Sequence, residues 1–170
     1  MCGIVGRLNF DINHGVEEAS VRRMADKIIH RGPDADGYYV KKNVGLGHRR
    51  LAIIDLSPAG KNPMFDKEKT IVLVFNGEIY NFQSLRKELE KKGYVFQSNT
   101  DTEVVIYLWK EYGKNCLKYL RGMFAFALWD DSKKVLFMAR DRLGKKPLKY
   151  YLGDDFIIFA SELKAFIDEP

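Results

Sequence analysis

A chain of 170 residues, 46% hydrophobic and 30% charged, has enough apolar material for one packed domain, and that balance excludes a disordered or collagen-like polymer. Its two cysteines, Cys2 and Cys116, lie far apart and exclude a disulfide framework, and neither they nor the three histidines are set at zinc-ligand spacings. The net charge of +5 is dispersed through mixed-sign stretches such as residues 88–92, which reads as a solvated surface without a nucleic-acid recognition motif.

No apolar run approaches the roughly 20 residues of a membrane span. No basic segment followed by an apolar stretch marks a secretory signal at the start. A reducing cytoplasm, in which a free thiol survives, is therefore the expected setting.

Residues 4–10, branched and aromatic with one glycine, predict a first strand. Val21, Met24, Ala25 and Ile28 recur at helical spacing and predict an amphipathic helix over residues 16–29. The stretch His30-Arg31-Gly32-Pro33-Asp34 ends it, because proline disfavours helix in the residue before it. Residues 38–40 and 44–54 predict paired strands, followed by a loop over residues 55–69. Residues 71–75 are apolar without interruption, as expected for a strand covered on both faces.

Asn81 is placed to cap a following helix that carries Leu85 and Leu89 on one face. Thr100-Asp101-Thr102-Glu103 fits a capping box ahead of a second, buried helix through residues 104–109. Strands are expected at 124–129, 135–139, 148–152 and 156–160, with a closing helix over 161–167. Segregated helices and antiparallel strands predict an α+β domain of two stacked sheets with helices outside.

The chemistry begins at Cys2, which follows the initiator methionine. Its small side chain favours removal of Met1, and the processed chain would carry a thiol and a free α-amine on one residue. Both groups have reference pKa values of about 8, so the amine is suited to take the thiol proton during attack. An isolated Met-Cys start is more often without meaning, so the weight falls on the rest of the chain.

The segments Met1-Cys2-Gly3-Ile4-Val5-Gly6, His30-Arg31-Gly32-Pro33-Asp34, His48-Arg49-Arg50-Leu51-Ala52-Ile53-Ile54-Asp55, Asn76-Gly77-Glu78-Ile79-Tyr80-Asn81, Thr100-Asp101-Thr102-Glu103-Val104 and residues 140–148 occur in this order along nearly the whole chain. Together they resemble the glutaminase domain of class II glutamine amidotransferases, which are N-terminal nucleophile hydrolases. Within that family the likeness is greatest to the glutamine-hydrolysing asparagine synthetase type. The resemblance implies a four-layer αββα sandwich and hydrolysis of glutamine to glutamate and ammonia, with Cys2 as nucleophile.

It further implies that Arg50 clamps the glutamine α-carboxylate, a task suited to the planar guanidinium fork. Arg49, its neighbour in an extended strand, would then point to the opposite face. Backbone groups of Leu51 and Ile53 would line the glutamine pocket, with Ala52 and Ile54 in the same segment, and Glu78 and Asp101 would meet the substrate ammonium. Asp101 also fits a helix N-terminal position. Asn76 and Gly77 read equally as a hairpin turn or as donors to an oxyanion, and the resemblance favours the oxyanion hole.

Cys116 reads as a buried small residue, residues 124–129 as core strand, and the charges of residues 140–148 as a solvated turn. No cofactor is expected for the glutamine step. ATP and magnesium belong to a synthetase domain that these residues do not include, so the expected partner is such a domain or a separate acceptor chain, with a homodimer possible. Other readings are the glutaminase half of a different amidotransferase, such as glucosamine-6-phosphate synthase, or a non-catalytic scaffold that kept the fold. A basic nucleic-acid binder has no motif to support it.

Overall fold

The uninterrupted apolar run at residues 71–75 lies in a strand whose two faces meet different cores. The computed structural model describes residues 1–51 and 60–169. In chain order the elements are β1 (Gly3–Asn9), α1 (Glu18–Asp26), β2 (Ala35–Lys41), β3 (Val44–Arg50), β4 (Met64–Phe65), β5 (Ile71–Ile79), α2 (Phe82–Lys91), α3 (Glu103–Tyr112), β6 (Gly122–Asp130), β7 (Val135–Arg140), β8 (Lys149–Leu152) and β9 (Phe156–Ala160). One sheet has the order β2-β3-β1-β9-β8 and the other β4-β5-β6-β7, with every pairing antiparallel.

Side chains alternate faces along a strand, and this rule assigns the layers. In β5, Val72 and Val74 turn inward with Ala125, Ala127 and Trp129 of β6 to meet Ile4, Val44, Leu46 and Phe159 of the other sheet. The alternate residues Leu73, Phe75, Phe126 and Leu128 turn outward beneath α2 and α3. On the opposite side, Val5 and Ile158 pack against Val21, Met24 and Ala25 of α1. The layers therefore run helix, sheet, sheet, helix, as expected for the αββα sandwich. α3 is buried from Glu103 through Trp109, which explains why its sequence is apolar nearly all round.

Several local expectations change. α1 is shorter than residues 16–29; it ends at Asp26 and a 3-10 turn, Ile29–Arg31, follows. The loop expected over 55–69 contains β4, which pairs Met64 with Leu73 and Phe65 with Val72. Asn81 does sit ahead of α2, yet its side chain bonds Tyr119 O and the Arg121 N–H across the chain instead of capping the helix. Thr100 and Glu103 form no capping box, because the Glu103 carboxylate accepts from the Gln97 and Ser98 N–H groups. The closing helix reduces to a 3-10 turn, Leu163–Ala165.

The Asn76-Gly77 pair is not a hairpin turn. β5 continues through it to Ile79, with Asn76 opposite Ala125 and Gly77 opposite Phe124. Tertiary pairing with β6 overrides the local turn signal. Among the described residues no helix is long and apolar enough to cross a membrane.

Candidate active site

Strand periodicity brings the candidate residues to one place. Ile4, Leu46 and Val74 face the space between the sheets, and steps of two lead from them to Cys2, to His48 and Arg50, and to Asn76 and Glu78. At this end of the sandwich a cleft of about 150 Å³ opens, lined by those five residues together with Asp101. Arg49 has the opposite parity and turns away, where its guanidinium pairs with Asp26 of α1.

Cys2 is held on both sides. Its Sγ accepts from the Leu51 N–H at 3.4 Å and lies 3.6 Å from Leu51 O. Its carbonyl accepts from Arg31 Nε at 3.0 Å, and Arg31 Nη1 in turn pairs with Glu162 at 2.9 Å. Burial alone would raise the Glu162 pKa, but the hydrogen bonds from Arg31 and His30 outweigh it and hold the carboxyl down at about 2. Two residues along, the Ile4 N–H donates to Ser161 Oγ at 3.0 Å. The start of β1 is thus fixed by the segment that follows β9.

The edge of β5 supplies backbone groups. Phe124 directs its N–H to Asp141 Oδ2 and its carbonyl to the Asp141 N–H, away from β5. Its partner Gly77 therefore directs its own N–H to the open edge, since both polar groups of a strand residue point the same way in an antiparallel pair. On the same edge, Phe75 O accepts from His48 Nε2 at 3.0 Å and the Ile79 N–H donates to Asp101 Oδ2 at 2.7 Å. A side chain at position 77 has no room, because a Cβ there would stand 2.4 Å from Met123 O.

Among the described residues three cleft-lining polar atoms are buried without a hydrogen-bond partner: Asn76 Nδ2, His48 Nδ1 and Asn62 Oδ1. His48 is 1% exposed. Burial, with the nearby Arg50 charge adding to it, lowers its pKa to about 4 against the opposing bond to Phe75 O. The ring is therefore neutral, with its proton on Nε2, and Nδ1 is an acceptor. Buried polar groups are nearly always satisfied in native proteins, so one donor and two acceptors on residues that line the cleft call for polar partners of the kind a ligand there would supply.

Asp101 is 5% exposed. Burial raises its pKa, with the Glu78 charge acting in the same sense and the Ile79 N–H opposing. Two acids near a buried arginine suit a ligand that carries both charges. Among the described residues no cluster of three or more His, Cys, Asp or Glu side chains has the arrangement of a metal site.

The cleft thus gathers Cys2, Arg50, Leu51, Asn76, Gly77, Glu78 and Asp101. Ile53, with Ala52 and Ile54, lies outside the described residues. His48, Asn62 and Lys146 also line it and were not assigned roles from sequence. The alternation that separates Arg49 from Arg50 would have found His48. Lys146 is a correction to the solvated-turn reading: it and Asp141 are buried, with the Asp141 carboxylate accepting from the backbone of Phe124, Leu143, Lys145 and Lys146. Cys116 is buried as expected, and burial pushes its thiol pKa up to about 11.

Two stacked antiparallel sheets between helices, with a cleft at the chain's first residues, make up the αββα sandwich. A solved structure of glutamine phosphoribosylpyrophosphate amidotransferase from B. subtilis, complexed with ADP and GMP, superposes with a TM-score of 0.81 at 24% identity, over 98% of this chain and 43% of that one. The chain belongs to the glutamine amidotransferase domain family, whose sequence profile matches residues 1–170.

Among its relatives, asparagine synthetase [glutamine-hydrolyzing] 1 of Bacillus subtilis is 44% identical over 98% of this chain and 27% of its own length. Asparagine synthetase [glutamine-hydrolyzing] 3 of Arabidopsis thaliana is 38% identical over 99% of this chain and 29% of its own. Amidase chry2 of Gibberella zeae is 44% identical over 94% of this chain and 24% of its own. The chain spans about a quarter of the length of these curated relatives.

Proposed function

We propose that this domain hydrolyses L-glutamine to L-glutamate and ammonia with Cys2 as the nucleophile, after removal of Met1. The observation that carries the reading is Asn76 Nδ2, a buried donor without a partner in the same cleft as the Cys2 thiol. A side-chain amide presents an acceptor oxygen and a donor nitrogen, which complements Asn76 on one side and the acceptors of His48 and Asn62 on the other.

In this reading Arg50 holds the α-carboxylate, Asp101 and Glu78 hold the α-ammonium, and the amide is directed toward Cys2. Sulfur attacks the amide carbon as the thiol proton passes to the α-amine. The negative oxygen that forms is met by Asn76 Nδ2 and the Gly77 N–H. Collapse breaks the C–N bond, the amine returns the proton to the departing nitrogen, and ammonia leaves a glutamyl thioester. Water then cleaves the C–S bond, restoring the thiol and releasing glutamate. Each step uses groups of this chain and water, so the glutamine step needs no metal or organic cofactor. ATP and magnesium belong with an acceptor domain.

Relatives named as glutamine-hydrolysing asparagine synthetases support an asparagine-forming acceptor domain, or a separate chain, as the destination of the ammonia. The test is glutamate release by processed wild-type chain and by Cys2→Ala. Turnover in the former and none in the latter is expected; equal rates would exclude Cys2.

A further inference from the structure

β5 loses its strand neighbour just before the cleft. Among the described residues β4 pairs with it at Val72 and Leu73 and goes no further. Phe75, Gly77 and Ile79 share one parity, so all three direct their backbone polar groups to the edge that β4 leaves uncovered. Side chains pin that edge at two points. His48 Nε2 donates to Phe75 O at 3.0 Å, and Asp101 Oδ2 accepts from the Ile79 N–H at 2.7 Å. Gly77 stands midway between the two, about 7 Å along the strand from each.

His48 reaches this edge from the other sheet. It sits in β3 between two partners, opposite Ile4 of β1 and Gly37 of β2, so its backbone is fixed from both sides. The Asn62 carbonyl fills the place of a side chain at Gly37, 2.1 Å from where a Cβ would stand. The ring itself is 1% exposed and neutral, and since its Nε2 faces a carbonyl, that nitrogen carries the proton. Two short torsions on a rigid strand thus deliver a fixed donor across the gap between the sheets.

An oxyanion donor is effective only when it is aimed before the charge forms. We infer that His48 is a positioning residue for the oxyanion donors, which rests on the proposed roles of Cys2, Asn76 and Gly77. Its Nε2–H takes the place of the missing strand neighbour and holds the backbone of Asn76 and Gly77 where the attacked carbonyl oxygen becomes charged. The effect passes through Phe75 O and belongs to the rate of attack, whereas direct contact of the ring with glutamine would use Nδ1 and would appear in binding.

The experiment compares glutamine hydrolysis by wild type, H48L and H48Q, all shown by intact mass to lack Met1. Calorimetry measures glutamine binding by the Cys2→Ala chain with and without H48L. H48L should lower kcat by about 10–100-fold, as expected when an aligned group drifts by roughly 1 Å. KM and the binding constant should stay within about twofold. H48Q, whose amide nitrogen can donate to the same carbonyl, should recover most of the rate. Wild-type kcat in H48L, a rate for H48Q as low as that of H48L, or a loss of binding equal to the loss of rate would each overturn the inference. If H48L does not fold, H48M supplies the same comparison without a donor. Nitrogen NMR of the wild-type histidines should also place the His48 proton on Nε2, and a proton on Nδ1 would overturn the inference whatever the variants do. A processed wild-type chain that does not hydrolyse glutamine instead defeats the reading of Cys2, a failure distinct from an active wild type matched by H48L.

Discussion

Arg31 Nε donates to the carbonyl of Cys2 at 3.0 Å, tying the second residue of the chain to a turn at the end of the first helical segment. The guanidinium continues to Glu162, so one side chain joins the start of β1 to the segment after β9. This bond acts on the backbone that carries the thiol, not on a ligand.

Replacing Arg31 by Gln should therefore lower kcat while leaving KM for glutamine nearly unchanged. The expected loss is about 10–100-fold, the scale of a reacting group displaced by ~1 Å. Steady-state kinetics would separate the two constants, and a rise in KM alone would assign Arg31 to substrate binding instead.

Asn76 is expected to act later in the reaction, on the charged oxygen. Asn76→Ala should reduce kcat by about 10²–10³-fold, the usual cost of one oxyanion donor. Binding of glutamine, measured by calorimetry on the slow variant, should change far less. Equal losses in binding and rate would place Asn76 in ground-state recognition.

Arg50 should show the reverse pattern. With Arg50 as the proposed partner of the substrate carboxylate, Arg50→Ala should lose about 2 kcal/mol or more from kcat/KM, mainly through KM. Glutamine amides that lack the α-carboxylate charge should discriminate poorly between variant and wild type.

His48 predicts a pH dependence of stability. Its folded pKa of about 4 lies below the ordinary histidine value, so the unfolded chain binds the extra proton first as pH falls. Stability from this group is complete above about pH 6.5 and declines as pH drops toward 4, with about 2 kcal/mol lost between pH 7 and 5. Urea unfolding at the two pH values should show this loss in wild type and a smaller one in His48→Asn. A pH-independent difference between the two proteins would remove His48 as its source.

The layers were legible because burial writes a period into the sequence. Residues 71–75 are apolar on both faces, and β5 does separate the inter-sheet core from the helix-covered one. The resemblance carried by the ordered motifs pointed to most of the cleft, and even steps from inward-facing core residues are the structural reason that Cys2, Arg50 and Asn76 meet there. What stayed hidden depended on contacts between distant segments. Asn81 satisfies Tyr119 and Arg121, not its own helix. Lys146 follows Lys145 in a charged turn, and nothing local marks it as the buried member of the pair. Asn62 lies in a stretch whose composition says only loop, and nothing local marks it as a residue that lines the cleft.

β1 lies between β3 and β9, and its last neighbour is contributed by residues 156–160. During synthesis the first strand leaves the ribosome long before that neighbour exists. Folding of the sheet must wait for it, because a domain is completed only when its distant pairings can form. The thiol at the beginning of the chain is thus held in a half-built setting until nearly the whole domain has been translated. A fragment that ends short of residue 156 would carry Cys2, Arg50, Asn76 and Asp101 and keep β3 beside β1, yet lack the strand on the other side of β1.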